Sequence, residues 1–581
     1  MPDLARRRFL AGLGAATAAP GAHRIAVGPR RQRSPAPFGW GVASFDPTTD
    51  GVVLWTRVVE GPAMVRWVLA SDEALTDVVE SGTVLVTPEG DHCARVDVRG
   101  LPAGRTWWYG FTAPDETPSP VGRTRTLPED AERLRIGVAS CSRFATAGFA
   151  AYRALAERDV DLVLHLGDYI YEDGTTGVRA HDPAQRLTQV AHYRARYAQH
   201  RLDPDLQALH AKHPMVAVWD DHDVSGNAWR DGAPGHDDGR DGPWLDRLVA
   251  AGQAHEEWLP GRTGRGPDGR LKAWRALDLG GLAELVLLDT RTWGRDRQPA
   301  SEEELADGSG RTMLGADQAD FAIERLTRED APPWVLLGNQ VMYHPLQVPA
   351  FGELLMTAAR AGGFLVADGL AVNPDQWDGY SEERERINVQ GMRSRGGVVV
   401  LSGDVHSSWA WEGPANAGDE GPVMVELVAP AISSDPFSTR FGLPANLLTA
   451  GVRSLDTDLA YVELESNGYL LVDLTPERVL GEWWYVDPAD AGTQRFGAAR
   501  AAPIEVPMRL SPQAEPSADR TSGSATTAPP AGSQAPGAEG ASDDDEDGPP
   551  WPLVAGGAAA AAAAVGALVA VRRRTDHRGP S

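Results

Sequence analysis

Six apolar runs of strand length, each closing on side chains that can hold a cation or an anion, set the narrowest limit on what this chain can fold into. LRIGVASC ends in Cys141, DLVLHLGDYIY in Asp168 and Tyr171, and PMVAVWDDHD in Asp220, Asp221, His222 and Asp223. LVLLDTR ends in Asp289 and Arg291, WVLLGNQ in Asn339 and Gln340, and GGVVVLSGDVH in Asp404 and His406. With helical-looking stretches such as AHYRARYAQH between several of them, these runs read as strands of a layered α/β domain with a largely buried sheet. In open α/β sheets ligands bind beyond the carboxyl ends of the strands, so separate endings can converge on one spot. A single Gly-Asp after a strand is an ordinary turn or cap. Six endings of one chemical kind point to a site.

The donor types divide by the ions they suit. Cys thiolate, Tyr phenolate and His imidazole suit a redox-capable transition metal such as iron, while carboxylate, amide carbonyl and water suit calcium or magnesium. Both sets are present, so the residues predict a mixed site in which one Asp bridges a transition metal and harder cations. Such cations also explain why a buried strand can end in Asp168 and Tyr171, groups that are costly to enclose unpaired.

The chain has 581 residues and a formal charge of −26, which argues against nucleic acid or an anionic membrane surface as a partner through bulk electrostatics. An anionic substrate needs a local positive centre. Of the two cysteines, Cys93 and Cys141, the second ends a strand-like run. A disulfide between them and metal ligation by Cys141 are competing readings, because a bridged sulfur cannot serve as a thiolate ligand.

Four regions follow from composition. Residues 1–36 hold Arg6, Arg7 and Arg8 before Phe9, Leu10 and an Ala/Gly-rich stretch, which resembles a twin-arginine export signal; a plain basic tail is the alternative. Residues 37–126 alternate in short runs, VRWVLAS, GTVLVT, ARVDVRG and TWWYGFTA, and predict a small antiparallel β-sandwich of the Ig or fibronectin kind, with Trp107, Tyr109 and Phe111 in its core. Residues 130–508 form the α/β domain, within which YVELESNGYLLVDL predicts a hairpin at its Asn-Gly. Residues 509–550 are rich in Pro, Ala, Ser and Gly and close with the acidic run Asp543–Asp547, the composition of a flexible stalk. Leu553–Val571 is just long enough to span a bilayer, and Arg572–Arg574 with the rest of 572–581 would stay cytoplasmic, leaving the body outside; a low-complexity tail is the alternative.

The motifs taken together resemble the PhoD-type alkaline phosphatases, a branch of the calcineurin-like metallophosphoesterases. GVASFDPTTDGVVLWTR at 41–57 is similar to the opening of that family's N-terminal domain, and VASCSRF, HLGDYIYE, YRARY, WDDHDVSGNAW, LDTRTW, GNQVM, NPDQWDGY and SGDVHSSW follow in the family's order. Where the wider superfamily has Asp-x-His, Gly-Asn-His and Gly-His-x-His, this chain has Cys141, Asp221 with His222, and Asp404 with His406. The resemblance implies a β-sandwich core flanked by helices and hydrolysis of phosphate monoesters or diesters by metal-activated water. It also implies ferric iron (Fe3+) on Cys141, Asp168, Tyr171 and His406, and calcium (Ca2+) on Asp168, Asp221 and Asp404 with Asn339. His222 would act as general acid or stabilise the transition state, and Arg291 would clamp a phosphate oxygen, with Asp289 as its structural partner. Asp220 and Asp223 would shape the loop or join the ligands, and NPDQWDGY would shape the pocket rim. A phospholipase D-like or wall-polymer diesterase using the same site, and an anchored binding protein without turnover, are the rival readings.

Overall fold

The computed structural model describes residues 37–520 apart from 59–61, 176, 309, 350–352, 362, 368–369, 392, 414–423, 442–443, 457, 488–489, 502–509 and 513–515. The arginine-bearing start and the run Leu553–Val571 lie outside the described residues; within them, no helix is long and apolar enough to cross a membrane.

Two large mixed sheets carry the α/β region. In the first, ten strands lie in the order Leu510–Pro512, Asp490–Ala501, Arg478–Asp487, Gly468–Thr475, Leu134–Ala139, Leu162–His165, Met215–Ala217, Val42–Phe45, Gly51–Arg57 and Cys93–Arg99. Its middle strands, Leu134–Ala139 through Val42–Phe45, run parallel. In the second, seven strands lie in the order Arg275–Asp278, Ala283–Leu287, Trp334–Gly338, Gly397–Ser402, Met424–Val428, Ser408–Glu412 and Leu459–Glu463. Here Ala283–Leu287 through Met424–Val428 are parallel.

Side chains from both sheets meet in one core: Ile136, Val138 and Leu164 from the first, Leu285, Leu336, Leu401 and Leu427 from the second. Each such aliphatic side chain, taken fully out of water, contributes about 2 kcal/mol before conformational entropy is counted. Helices Ala150–Ala156, Pro204–Lys212 and Trp244–Trp258 add Leu155, Leu206, Leu209 and Leu248 to the same core. Helices Ala316–Thr327 and Ser381–Gly391 pack Ala322, Leu326 and Ile387 against Val286, Val335 and Val398 of the second sheet.

The N-terminal strands share their sheet with this core. A four-stranded sheet, ordered Val78–Val86, Ala63–Ala70, Thr106–Thr112 and Gly122–Arg125, stacks on the Val42–Phe45, Gly51–Arg57 and Cys93–Arg99 end of the ten-stranded sheet. Period-two alternation supplies both faces at once: Val52 and Leu54 meet Val65, Leu69, Tyr109 and Phe111, while Val53 and Trp55 face the central core. Trp107, Tyr109 and Phe111 are buried there, as their spacing predicts.

Two expectations fail. The Asn-Gly segment is not a hairpin: Leu459–Glu463 pairs with Ser408–Glu412 in the second sheet, and Gly468–Thr475 pairs with Leu134–Ala139 and Arg478–Asp487 in the first. Asn467 marks the crossing, its amide donating to the carbonyls of Ala431 and Ser434. The body also extends past residue 508. Leu510–Pro512 adds an edge strand, and Arg520 reaches Asp159 and Asp161 at the start of Leu162–His165 while Asp519 pairs with Arg135. Charge pairing with a fully buried Asp161 orders residues whose composition alone reads as stalk.

Candidate metal centre

The parallel strands of both sheets end on a common edge, and the residues that follow them build the site. Four adopt left-handed backbone, Cys141 (φ 58°), Asp168 (φ 53°), Asp404 (φ 64°) and His406 (φ 54°), a conformation costing about 1–2 kcal/mol each for residues with a Cβ. The surroundings hold them there. Cys141 N–H donates to Gly167 O at 3.2 Å, and Ser142 N–H to Asp168 O at 2.9 Å. The glycine before Asp168 is required by close approach: a Cβ on Gly167 would fall 2.3 Å from the backbone nitrogen of Asp220.

Three overlapping groups of donor atoms result, each within 4.8 Å: Cys141, Asp168 and His406; Asp168, Asp221 and His222; Asp220, Asp221 and Asp404. Asp168 and Asp221 each belong to two. Tyr171 borders the first, with its Oη 3.4 Å from His406 Nε2 and 2.7 Å from Ser434 Oγ. His406 keeps Nδ1 on the Asp435 carbonyl at 2.9 Å, which directs Nε2 toward the cluster. Neither cysteine is bridged.

The chemistry of this donor set calls for cations. Burial pushes Asp168, Asp220, the Cys141 thiol and the Tyr171 phenol well above their ordinary values, and their carboxylate neighbours add to it. Asp221, although buried, is held below the usual carboxylate range by Arg291 and His222, and its Oδ1 is an enclosed acceptor with no hydrogen-bond partner. Positive ions among these groups would relieve the desolvation of all of them.

Two expected site residues are placed differently. Arg291 is fully buried, with Nε on Asp220, Nη1 on Asp375 at 2.7 Å and Nη2 on Asp404 at 3.0 Å. In this arrangement it is an internal counter-cation for a crowd of carboxylates. Asp289 holds its backbone N–H, not its guanidinium. Asn339 is spent on protein: Trp377 Nε1–H donates to its oxygen at 3.1 Å, and its amide donates to Val341 O and Ser402 Oγ.

Other residues brace the site through contacts that the sequence does not specify. Glu172 accepts from His222 Nδ1 at 2.7 Å and from Gly226 N–H at 2.8 Å. Asp223 is pushed up to about 7 by burial and takes the N–H groups of Asp220 and Ile170, tying two site loops together. Asp375, from NPDQWDGY, lies between Arg291 and Arg295. The YRARY motif supports the site from behind: Tyr193 Oη–H donates to Val224 O at 2.6 Å, and Arg196 donates to the carbonyls of Tyr171, Asp173 and Pro183.

The family described as PhoD-like phosphatase matches residues 136–483, and its N-terminal domain matches residues 22–128. Alkaline phosphatase D of Bacillus subtilis (strain 168) is 33% identical over 440 residues, spanning 70% of this chain and 72% of that protein. The solved structure of PhoD superposes with a TM-score of 0.70 at 27% identity, covering 82% of this chain and 93% of that one.

Proposed function

Because this chain belongs to the PhoD-like phosphatase family and is a phosphoric ester hydrolase, we propose that its catalysis runs at the cluster around Asp168, with iron and calcium as the resident metals. The carrying observation is the sharing of Asp168 and Asp221 among three donor groups of different hardness. Cys141, Asp168, Tyr171 and His406 would hold ferric iron, and Asp168, Asp221 and Asp404 calcium, with Asp220 at their side. When bound, the ions would ready water for attack on phosphorus and balance charge on the phosphoryl oxygens.

The chain's own part is positioning and proton supply. Glu172 is held below the usual range by His222 and Gly226 N–H against its burial, so it is ionised and can only accept. Against its burial, Asp221, Glu172 and Asp168 hold His222 well above the ordinary imidazole range, so it is an imidazolium: Nδ1–H is kept on Glu172, and the Nε2 proton passes to the leaving oxygen as the P–O bond breaks. The Asp168 side chain fixes the same histidine through its backbone N–H at 3.1 Å.

Metal analysis with a visible spectrum tests this. Iron and calcium in the pure active protein, with a phenolate-to-iron charge-transfer band lost in Tyr171→Phe, is the expected result. A colourless, fully active protein without iron overturns the assignment. We also propose export and C-terminal anchoring, supported by Arg6 to Leu10 and by Leu553–Val571; protease accessibility of the body in intact cells tests both.

A further inference from the structure

A cavity of about 350 Å³ has in its wall two residues that hydrogen-bond to the cluster or to its counter-cation. Asn227, in left-handed backbone at φ 54°, lines it and gives its N–H to Asp221 Oδ2 at 2.5 Å. Asp375 lines it too and bonds Arg291, which in turn holds Asp220 and Asp404. A group in this cavity is therefore one residue removed from the metal-competent carboxylates.

The remaining lining is neutral and shaped. Trp229, the last residue of the WDDHDVSGNAW motif, is half-buried, and none of the described aromatic rings or cations stacks on its indole. A tight turn fixes it: Trp229 N–H donates to Gly232 O at 2.8 Å, and a Cβ on Gly232 would fall 2.7 Å from the indole. Pro299 and Pro374 supply apolar wall. Gln298 donates weakly from Nε2 to Asn227 O at 3.5 Å, while its Oε1 is enclosed with no partner, an acceptor lacking a donor. Among the described residues lining the space no charge is unpaired: Asp375 is neutralised by Arg291 and Arg295, and Arg297, on the exposed rim, pairs with Glu304 at 3.1 Å.

We propose that this cavity receives the alcohol part of the phosphate ester. The alcohol it selects is an uncharged ring with a hydrogen-bond donor on its edge, as in a sugar or a nucleoside. The ring lies on the Trp229 indole and its donor meets the Gln298 amide, whose weak bond to Asn227 O lets it turn its oxygen into the cavity. The inference rests on the hydrolase reading of the neighbouring centre, and it assigns the leaving-group side of that site.

The test uses the metal-loaded full chain and two readouts. The first is calorimetric binding of free adenosine and free glucose, with glycerol as the open-chain control. Ring alcohols should bind at least roughly tenfold tighter than glycerol, and Trp229→Ala should remove that margin, the scale expected for loss of one ring stacked on an aromatic side chain. Trp229→Phe should restore much of it, and Gln298→Leu should cut it separately; these two carry the test if Trp229→Ala does not fold. The second readout is the ratio of kcat/KM for adenosine 5′-monophosphate or glucose 6-phosphate to that for glycerol phosphate, expected to fall about tenfold in Trp229→Ala. Equal binding of glycerol and both rings, or a ratio unmoved by all three variants, overturns the inference while leaving hydrolysis intact. Absence of hydrolysis by the loaded wild type, with ring binding retained, overturns the hydrolase reading instead. Which ring binds tighter identifies the source of the alcohol.

Discussion

Glu172 Oε2 stands 2.7 Å from His222 Nδ1, while the His222 ring lies 4.4 Å from that of Tyr171. The histidine is thereby held by a carboxylate at one nitrogen and a phenol ring along its face, with its other nitrogen left for chemistry.

Glu172→Gln should therefore injure catalysis in a leaving-group-dependent way. A neutral amide no longer holds His222 as the imidazolium, so a smaller fraction of it carries a readily given Nε2 proton. Turnover of an alkyl phosphate, whose leaving oxygen needs a proton, should drop about a hundredfold, and turnover of p-nitrophenyl phosphate much less. Equal losses on both substrates would show that Glu172 merely supports the fold.

Asp168 belongs to two donor groups and Cys141 to one. Asp168→Asn should strip more than one kind of metal and lower kcat/KM by at least about a hundredfold, or some 3 kcal/mol of barrier. Cys141→Ser should lose iron and keep calcium. Elemental analysis of the two purified variants separates these outcomes, and a Cys141→Ser protein that lost both metals alike would refute the division.

How far these residues could be read in advance follows from where the information sits. Cys141, Asp168, Asp221, His222, Asp404 and His406 were legible because each closes an apolar run, a local pattern that survives folding unchanged. Glu172, Asp375 and Asn227 were not, since their roles depend on which loop faces which once two sheets stack. Arg291 shows the same limit. Its position after a strand is local information, but its enclosure by Asp220, Asp375 and Asp404 is created by three other loops. The Asn-Gly at 467–468 misled because a two-residue turn signal is silent about longer partners waiting in separate sheets.

That enclosure makes Arg291 a stability element. Arg291→Met leaves Asp220, Asp375 and Asp404 without their shared cation, a change expected to cost about 3–5 kcal/mol. Millimolar calcium should recover part of the lost melting temperature if the carboxylates it exposes are cation ligands. A melting temperature equally low with calcium and with a chelator would contradict that.

The clasp at the other end of the strands offers an independent test. Asp161 is fully buried and accepts from Arg125, from Arg135 N–H at 2.8 Å and from Arg520 at 3.0 Å. Truncation after Pro512 removes Arg520 and Asp519, and because Arg520 is partly exposed the loss should be about 1 kcal/mol. Denaturant midpoints should fall while kcat/KM stays within about twofold, since the clasp lies at the strand ends opposite the metal centre. A large activity loss at unchanged stability would mean the tail acts on the site directly.

Acid should weaken the fold through buried histidines that belong to none of the donor groups. Burial lowers His165 and His255 to about 3 and His213 to about 4. A folded value below the unfolded one of about 6.5 means the unfolded chain binds the proton more readily. The stabilising contribution is thus complete above about pH 6.5 and drains away as pH falls toward 3, amounting to about 2 kcal/mol per histidine lost by pH 5. His255 is the cleanest probe, since both its ring nitrogens are enclosed without partners and its ring meets Trp219 at 5.8 Å. His255→Phe keeps a ring in that space and removes the titration. Its melting temperature should consequently change less between pH 7.5 and pH 5 than that of the wild type, and an identical decline in the two proteins would show that His255 is not part of the acid response.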